Sequence, residues 1–547
     1  MKKIVTANRL FREGSPWPER ILLCLPVLMA YASVWPNAFV FDDKPLLVEN
    51  IFLKHWSNLP QLLTALSFTG GGLRGQFYRP VPALLHFFIY QAFGLSTIAF
   101  HALNIALQAF NACLLHHFGV RAGFKKGAAF AAALLWAVHP LHTAAVAYMS
   151  ITPELLWCSF CLLGLITLLP DFTPRKIWCA VAFFMLALGS KESAVVFPAL
   201  AAVTFFFVSK DRTKFSAYLK MWPLWLLALG YTVVWLLFIR LSGYKLNPVS
   251  STTYFQDYTS NLTNRVLTCL ATLPVYARLI LWPAGLHIDR TFPVFNTLLA
   301  WQSLTGALMA GLGLLQIFCG RARALSFGLL WFAIVLSPYT GIVTPNDALI
   351  SESWMYMPTM GLFLGVTQTV AGFFERKKSA ARLLGAVLAL SLGIATFLQN
   401  RVWRDTETVY QNIILNGGDS YQLSIPMGDF YLERGEFDKA MEQYQIALDY
   451  AGRLHKMTAI IHLRLAEAWL QVSANASQDD IIRALPSCQH IPEAIAELGK
   501  TLQSNPDFYW AHIILAVIYR SQGNSQMADF HMRKVAAILQ KQGDRAP

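Results

Sequence analysis

Between residues 20 and 400 apolar stretches recur, separated by short polar loops, and this alternation leaves few folds open to the chain. A segment that leaves water must satisfy every backbone amide internally, so it becomes a helix or part of a closed barrel. The run lengths here suit helices. We place spans at about 21–36, 95–118, 127–140, 155–170, 177–189, 193–208, 221–239, 298–319, 325–343, 356–374 and 383–399. Several fall short of the ~20 residues a crossing needs, so their ends extend into the flanking loops. Only 14% of the 547 residues are charged, where soluble domains carry about a quarter. From residue 401 onward the sequence reads as an ordinary soluble domain. The expected fold is all-α: a polytopic helical membrane domain of about eleven crossings over 1–400, then a soluble helical array over 401–547. The first span, 21–35, lacks a small-residue cleavage site and reads as a signal-anchor.

The net charge of +13 does not mark a nucleic-acid binder, because most of the excess sits in short loops between spans. Lys2, Lys3, Arg9, Arg12 and Arg20 precede the first span. Arg121, Lys125 and Lys126, then Arg175 and Lys176, then Lys210, Arg212, Lys214 and Lys220 follow in alternate loops. Arg321 and Arg323, then Arg376, Lys377, Lys378 and Arg382, complete the series. The positive-inside rule places all of these in the cytoplasm. The opposite loops hold Asp42, Asp43, Glu49, His139, His142, Glu154, Glu192, His287, Asp289 and Glu352. Segment 262–283 reads as an interfacial or re-entrant helix on that outer side, since a crossing there would invert every later loop. The N-terminus is thus expected inside and the soluble domain outside. Of the eight cysteines, Cys158 and Cys161 form a CxxC within an apolar run, where packing is the natural reading. Cys488 is the only cysteine of the soluble part, which therefore has no internal disulfide.

The soluble part carries a repeat. Gly428, Tyr431, Gly435, Ala440, Tyr444 and Ala447 fall at positions 8, 11, 15, 20, 24 and 27 of a 34-residue helix–turn–helix unit. Ala516, Tyr519, Gly523, Ala528 and Met532 repeat the phasing. Ala466 and Trp469 open a unit that Ala494, Leu498 and Pro506 close, with 474–489 as an insertion, giving about three tetratricopeptide (TPR) repeats. Small residues sit where helices cross and aromatics fill the groove between them. Such arrays present a concave surface to a partner.

Chemistry is expected on the outer face. Asp42-Asp43 follows the first span, and adjacent carboxylates at a membrane surface suit a general base or a divalent-metal site (Mg2+ or Mn2+), or else a helix cap with a solvated neighbour. His139 and His142, three apart, share a helix face as metal ligands do, or hydrogen-bond loop backbone. Glu154 heads a span and suits its N-terminal dipole. Lys191 and Glu192 pair with each other, or Lys191 neutralises a phosphate. Trp354 and Tyr356 suit an interfacial anchor, which leaves Glu352 unexplained. Arg79, Arg278 and Arg290 lie on the outer side against the topological bias, which makes them phosphate candidates or snorkelling side chains.

Taken in order, these motifs resemble a known family. An Asp42-Asp43 loop ending in Asn50, Tyr78-Arg79-Pro80, His139-Pro140-Leu141-His142-Thr143 and Ser190-Lys191-Glu192 come first. Glu352, Tyr356, Pro358 and Gly361, then Asn400-Arg401 with Trp403 and Asp405 ahead of the repeats, complete the series. The chain is similar over almost its whole length to the transmembrane and tetratricopeptide-repeat O-mannosyltransferases, type-C (GT-C) glycosyltransferases. The resemblance implies a polyprenyl-phosphate-linked sugar donor, transfer to Ser or Thr of an extracytoplasmic protein, and a catalytic carboxylate at Asp43 or Asp42, with Asp43 preferred. It also puts Glu352 and Tyr356 beside donor or acceptor. Two departures stand out: Ala144 replaces an acid after His-Thr, and Ser353 replaces an Arg, leaving phosphate binding to Arg278, Arg290 or Lys191. Short loops and few repeats suggest a bacterial inner-membrane member. The rival readings are a glycosyltransferase acting on lipid or cell-surface glycan, and a non-catalytic membrane scaffold recruiting partners through its repeats.

Overall fold

The computed structural model describes residues 17–71, 77–209, 211, 213–241, 258, 261–288, 290, 292–343, 348–418, 421–454, 458–474 and 476–543. Among them the regular structure is entirely helical. The chain divides into two compact units, one of Met1–Pro248 and Tyr258–Val409, the other of Val249–Asp257 and Tyr410–Pro547.

In the first unit the helices are α1 (Trp17–Ala30), α2 (Leu59–Thr64), α3 (Pro80–Phe93), α4 (Thr97–Arg121), α5 (Lys126–Ala137), α6 (Thr143–Ala147), α7 (Thr152–Leu168) and α8 (Pro174–Leu188). They continue with α9 (Phe197–Val208), α10 (Phe215–Leu219), α11 (Trp222–Leu241), α12 (Leu262–Leu281), α13 (Trp301–Cys319), α14 (Arg323–Leu336), α15 (Pro358–Phe373) and α16 (Lys378–Gln399). The chain is an integral membrane protein. Among the described residues four helical segments are long and apolar enough to cross a bilayer alone: Thr97–Arg121, Met149–Leu168, Trp301–Cys319 and Ser379–Trp403. The bent pair Lys126–Ala137 and Pro140–Ala147 adds a fifth if it counts as one span. The shorter apolar helices include Pro80–Phe93, where the sequence reading placed no span. Pro80 at its first turn, with φ preset for a helix, starts it directly after Arg79.

α4 is the hub, packing against α1, α5 and α7. His101, Asn104, Gln108 and Asn111 recur at 3-4-3 spacing, so an apolar helix carries one polar stripe, and all four are buried. The stripe meets backbone left over where neighbouring helices break. Gln108 Nε2 donates to Ala137 O at 2.8 Å at the end of α5, and Asn104 Nδ2 donates to Val146 O at 3.2 Å in α6. Helix ends strand carbonyls, and away from water a side chain must answer them.

α14 and α15 approach closely because glycines line their seam. A Cβ on Gly328 would lie 2.6 Å from Gly361 O, and one on Gly361 would lie 2.2 Å from the Trp331 ring. Small residues let apolar helices pack backbone to backbone. Cys158 and Cys161 are buried, and Cys158 Sγ lies 3.4 Å from Met360 Sδ, so these thiols pack.

The second unit is built of α18 (Tyr421–Glu433), α19 (Phe437–Leu454), α20 (Thr458–Trp469), α21 (Gln478–Ala484), α22 (Ile491–Ser504), α23 (Tyr509–Ser521) and α24 (Ser525–Gly543), after α17 (Thr406–Leu415), within which the division falls. α18 packs on α19, α20 on α22, and α23 on α24. Gly435 and Gly523 turn the first and last of these pairs with φ of 71° and 77°, a region costly for residues with a Cβ. Gly428 faces the buried Tyr444 ring, which a Cβ would approach to 2.3 Å. Segment 474–489 holds α21, capped by a reciprocal Ser477–Asp480 pair.

Candidate functional site

The loop after α1 is a tight knot around Asp43. Phe41 has φ of 42°, a strained value for an aromatic residue. Asp43 is fully buried. Its Oδ1 accepts from Ser150 N at 2.7 Å and Ser150 Oγ at 2.6 Å, and its Oδ2 accepts from Val40 N at 3.1 Å. Both oxygens are therefore occupied, and Asp43 fastens its turn to the one that leads into α7. Burial pushes its pKa up to about 7, against the pull of the Ser150 and Val40 donors; the Asp42 charge adds to the rise.

Asp42 is placed differently. Its backbone N–H donates to the Tyr148 hydroxyl at 2.9 Å, and its side chain is exposed. Enough protein surrounds the carboxylate to raise its pKa, with the Tyr148 hydroxyl pulling it down. That combination describes a carboxylate with solvent access that is partly enclosed by protein. Among the described residues neither aspartate forms an ion pair. Tyr148 in turn stacks on Trp403, ring centroids 5.1 Å apart. The Asn400-Arg401-x-Trp403 motif thus supports the Asp42 loop, and Asn400 Nδ2 donates to Ala30 O at the end of α1.

Glu192, Glu154 and Glu352 are each claimed by a cation. Arg79 clasps Glu192 through two bonds, Nη2 to Oε1 at 2.7 Å and Nε to Oε2 at 3.1 Å. Lys191 pairs with the buried Glu154, which also accepts from the Tyr339 hydroxyl at 3.3 Å. Glu192 therefore takes Arg79 as its partner, not the adjacent Lys191. Arg290 pairs with Glu352 at 2.7 Å, and His287 N donates to the same oxygen at 2.9 Å. Burial pushes Glu352 up to about 7 against the opposing Arg290 charge. Burial, together with Arg290 and Arg278, brings His287 down to about 4, so its ring is neutral at pH 7. Arg278 is the exception: it is exposed, and among the described residues its side chain has no hydrogen bond or ion pair. Asp289 lies outside the described residues.

Three sequence candidates sit in the helical core. His139 Nδ1 accepts from Leu141 N at 3.2 Å, which fixes the proton on Nε2, and that nitrogen donates to Ile280 O at 3.0 Å. His142 is packed between the Trp136 and Tyr356 rings. The buried Tyr356 hydroxyl donates to Gln108 and accepts from Asn111 at 3.1 Å. Among the described residues no three His, Cys, Asp or Glu side chains converge as metal ligands. The sequence reading passed over Tyr148 and the α4 stripe. The stripe had a visible signal in its 3-4-3 spacing; Tyr148 had none.

Comparison with known proteins agrees with these motifs. The chain is similar to Protein O-mannosyl-transferase TMTC3 of Mus musculus, with 25% identity over 462 residues, covering 77% of this chain and 50% of the relative. The Homo sapiens protein of the same name is 24% identical over 464 residues, with the same coverage. Protein O-mannosyl-transferase F38B6.6 of Caenorhabditis elegans is 23% identical over 428 residues, covering 75% and 60%. The chain spans about half the length of the first two relatives. No family model matches it, and no solved structure does.

Proposed function

We propose that this chain is a membrane glycosyltransferase of the GT-C type, moving a sugar from a polyprenyl-phosphate donor to Ser or Thr of a protein outside the cytoplasm. The relatives' names and the ordered motifs support the reaction class. The observation that carries the mechanism is the contrast between the two aspartates. Asp42, exposed and held by Tyr148, acts as general base: it takes the acceptor hydroxyl proton as that oxygen bonds to the anomeric carbon. The bond from that carbon to phosphate breaks, and its electron pair leaves with the prenyl phosphate. Asp43, with both oxygens occupied, is the positioning residue that fixes Asp42. Arg278, whose side chain has no partner among the described residues, receives the phosphate. Arg79, Lys191 and Arg290 balance Glu192, Glu154 and Glu352. The repeat array holds the acceptor protein and raises its local concentration.

The test is transfer from polyprenyl-phosphate mannose to a Ser/Thr-rich peptide by the purified protein. Asp42→Asn should lower the rate by about 100-fold or more at unchanged melting temperature, while Asp43→Asn lowers both. An Asp42→Asn protein with near wild-type transfer would overturn the assignment. A wild-type protein with no transfer to peptide but with transfer to a glycolipid would favour the lipid-glycan reading.

A further inference from the structure

α1 packs against α4, and the seam between them brings two of the eight cysteines together. Cys24 Sγ on α1 lies 3.8 Å from Cys113 Sγ on α4, across 89 residues of chain. Sulfur atoms at that separation touch, and a disulfide needs them at ~2.05 Å, a gap that side-chain rotation can close. An ion pair holds the nearby helix ends in place: Glu19, in the first turn of α1, pairs with Lys126 at the start of α5. Cys24 stands seven residues into α1, and Cys113 eight residues before the end of α4. At 1.5 Å per residue both sulfurs sit roughly 10–12 Å from those ends.

This pair differs from the CxxC thiols. Cys158 and Cys161 are fully buried, and Cys158 packs on the Met360 thioether. Cys24 and Cys113 are half-buried, so a small molecule can reach them from the rim of the seam. α4 is long and apolar enough to cross a bilayer, and at this depth the molecule that arrives has to be neutral, because a charge is costly there. Packing alone would ask only for two small apolar side chains. Two touching thiols bring a redox chemistry that packing does not need.

We propose that Cys24 and Cys113 are a redox pair that closes into a disulfide, with a neutral two-electron oxidant as co-reactant. One S–S bond forms and two S–H bonds break. The two protons and two electrons pass to the oxidant; a diazene, for example, leaves as the hydrazine. The new bond clasps α1 to α4 and closes a loop that contains the Asp42 turn, α2 and α3. A cross-link over so long a loop restricts the unfolded chain, so the oxidised protein is the more stable form. A thiol reductant reopens it by exchange. The inference stands apart from the glycosyl-transfer reading, since it uses neither aspartate nor any donor.

The test treats the purified full chain with diamide, a neutral diazene, then blocks the remaining thiols with a maleimide in denaturant and reads the mass. The wild type should fall from eight free thiols to six, with one linked peptide joining the Cys24 and Cys113 segments. Its melting temperature should rise on oxidation and return after dithiothreitol. Cys24→Ser and Cys113→Ser should each keep seven free thiols and a melting temperature that diamide does not move. Cys24→Ala provides the same comparison if the serine hydroxyl disturbs folding. A wild type that keeps all eight thiols overturns the inference, and so does a bridge between any other two cysteines. A Cys24–Cys113 bond that leaves the melting temperature unchanged overturns the clasp.

Discussion

Asp43 holds its proton up to about pH 7 in the folded protein, whereas an unfolded aspartate releases it near 4. Between those values the native state binds more protons, so this group's contribution to stability falls as pH rises. Melting temperatures in detergent should therefore decline from pH 5 to pH 8, and Asp43→Asn should flatten the decline. An unchanged slope in that variant would show that Asp43 is ionised throughout. The same knot predicts the cost of losing its donor. Ser150→Ala removes the hydroxyl bond but keeps the backbone one, which should destabilise the protein by about 1–3 kcal/mol, read as a lower melting temperature. The carboxylate pair was visible in the sequence, but which member is exposed was not. That depends on Ser150 and Tyr148, more than a hundred residues away, and on a strained φ at Phe41 that no local pattern announces.

Among the elements, α4 shows how an apolar helix can organise broken neighbours. Gln108 bonds both Ala137 O and the Tyr356 hydroxyl. Gln108→Leu would leave Ala137 O without this donor and the Tyr356 hydroxyl proton without its acceptor in a dry core, at about 1–3 kcal/mol for each. The expected outcome is a clear drop in melting temperature with helical circular dichroism unchanged at low temperature. Equal stability would mean that water reaches the end of α5. The α14–α15 seam is less tolerant still. Gly361→Val would drive a branched side chain into Trp331, and the expected result is a protein that fails to reach a monodisperse state in detergent. Helix existence was readable from apolar run length. Helix function was less so, because an Asn or Gln within a span shows its role only when the carbonyl it meets is known. His139 illustrates the gap: the His-Pro-Leu-His motif suggested metal or backbone bonding, and while the Leu141 contact is local, the second backbone contact appears only once Ile280 is folded beside it.

For the whole molecule the open question is which side the chemistry faces, and charge distribution makes a definite prediction. Short basic loops such as the one with Arg321 belong to the cytoplasm by the positive-inside rule. The Asp42 turn, the Glu352 turn and the repeat-bearing second unit then belong outside, where a lipid-linked sugar and a protein acceptor could meet. Length and apolar content alone do not fix this, because several apolar helices are too short to count as crossings by themselves. Orientation can be read directly with single cysteines added to the native chain. Asn524→Cys, on the exposed turn between α23 and α24, should react with a membrane-impermeant maleimide on intact cells, above the wild-type background. Arg321→Cys, on the exposed turn between α13 and α14, should react only after permeabilisation. The reverse pattern would place Arg321 outside and the second unit in the cytoplasm. The Asp42 turn, tied through Tyr148 to Trp403, would be cytoplasmic as well, and transfer to a protein outside the cytoplasm would be ruled out.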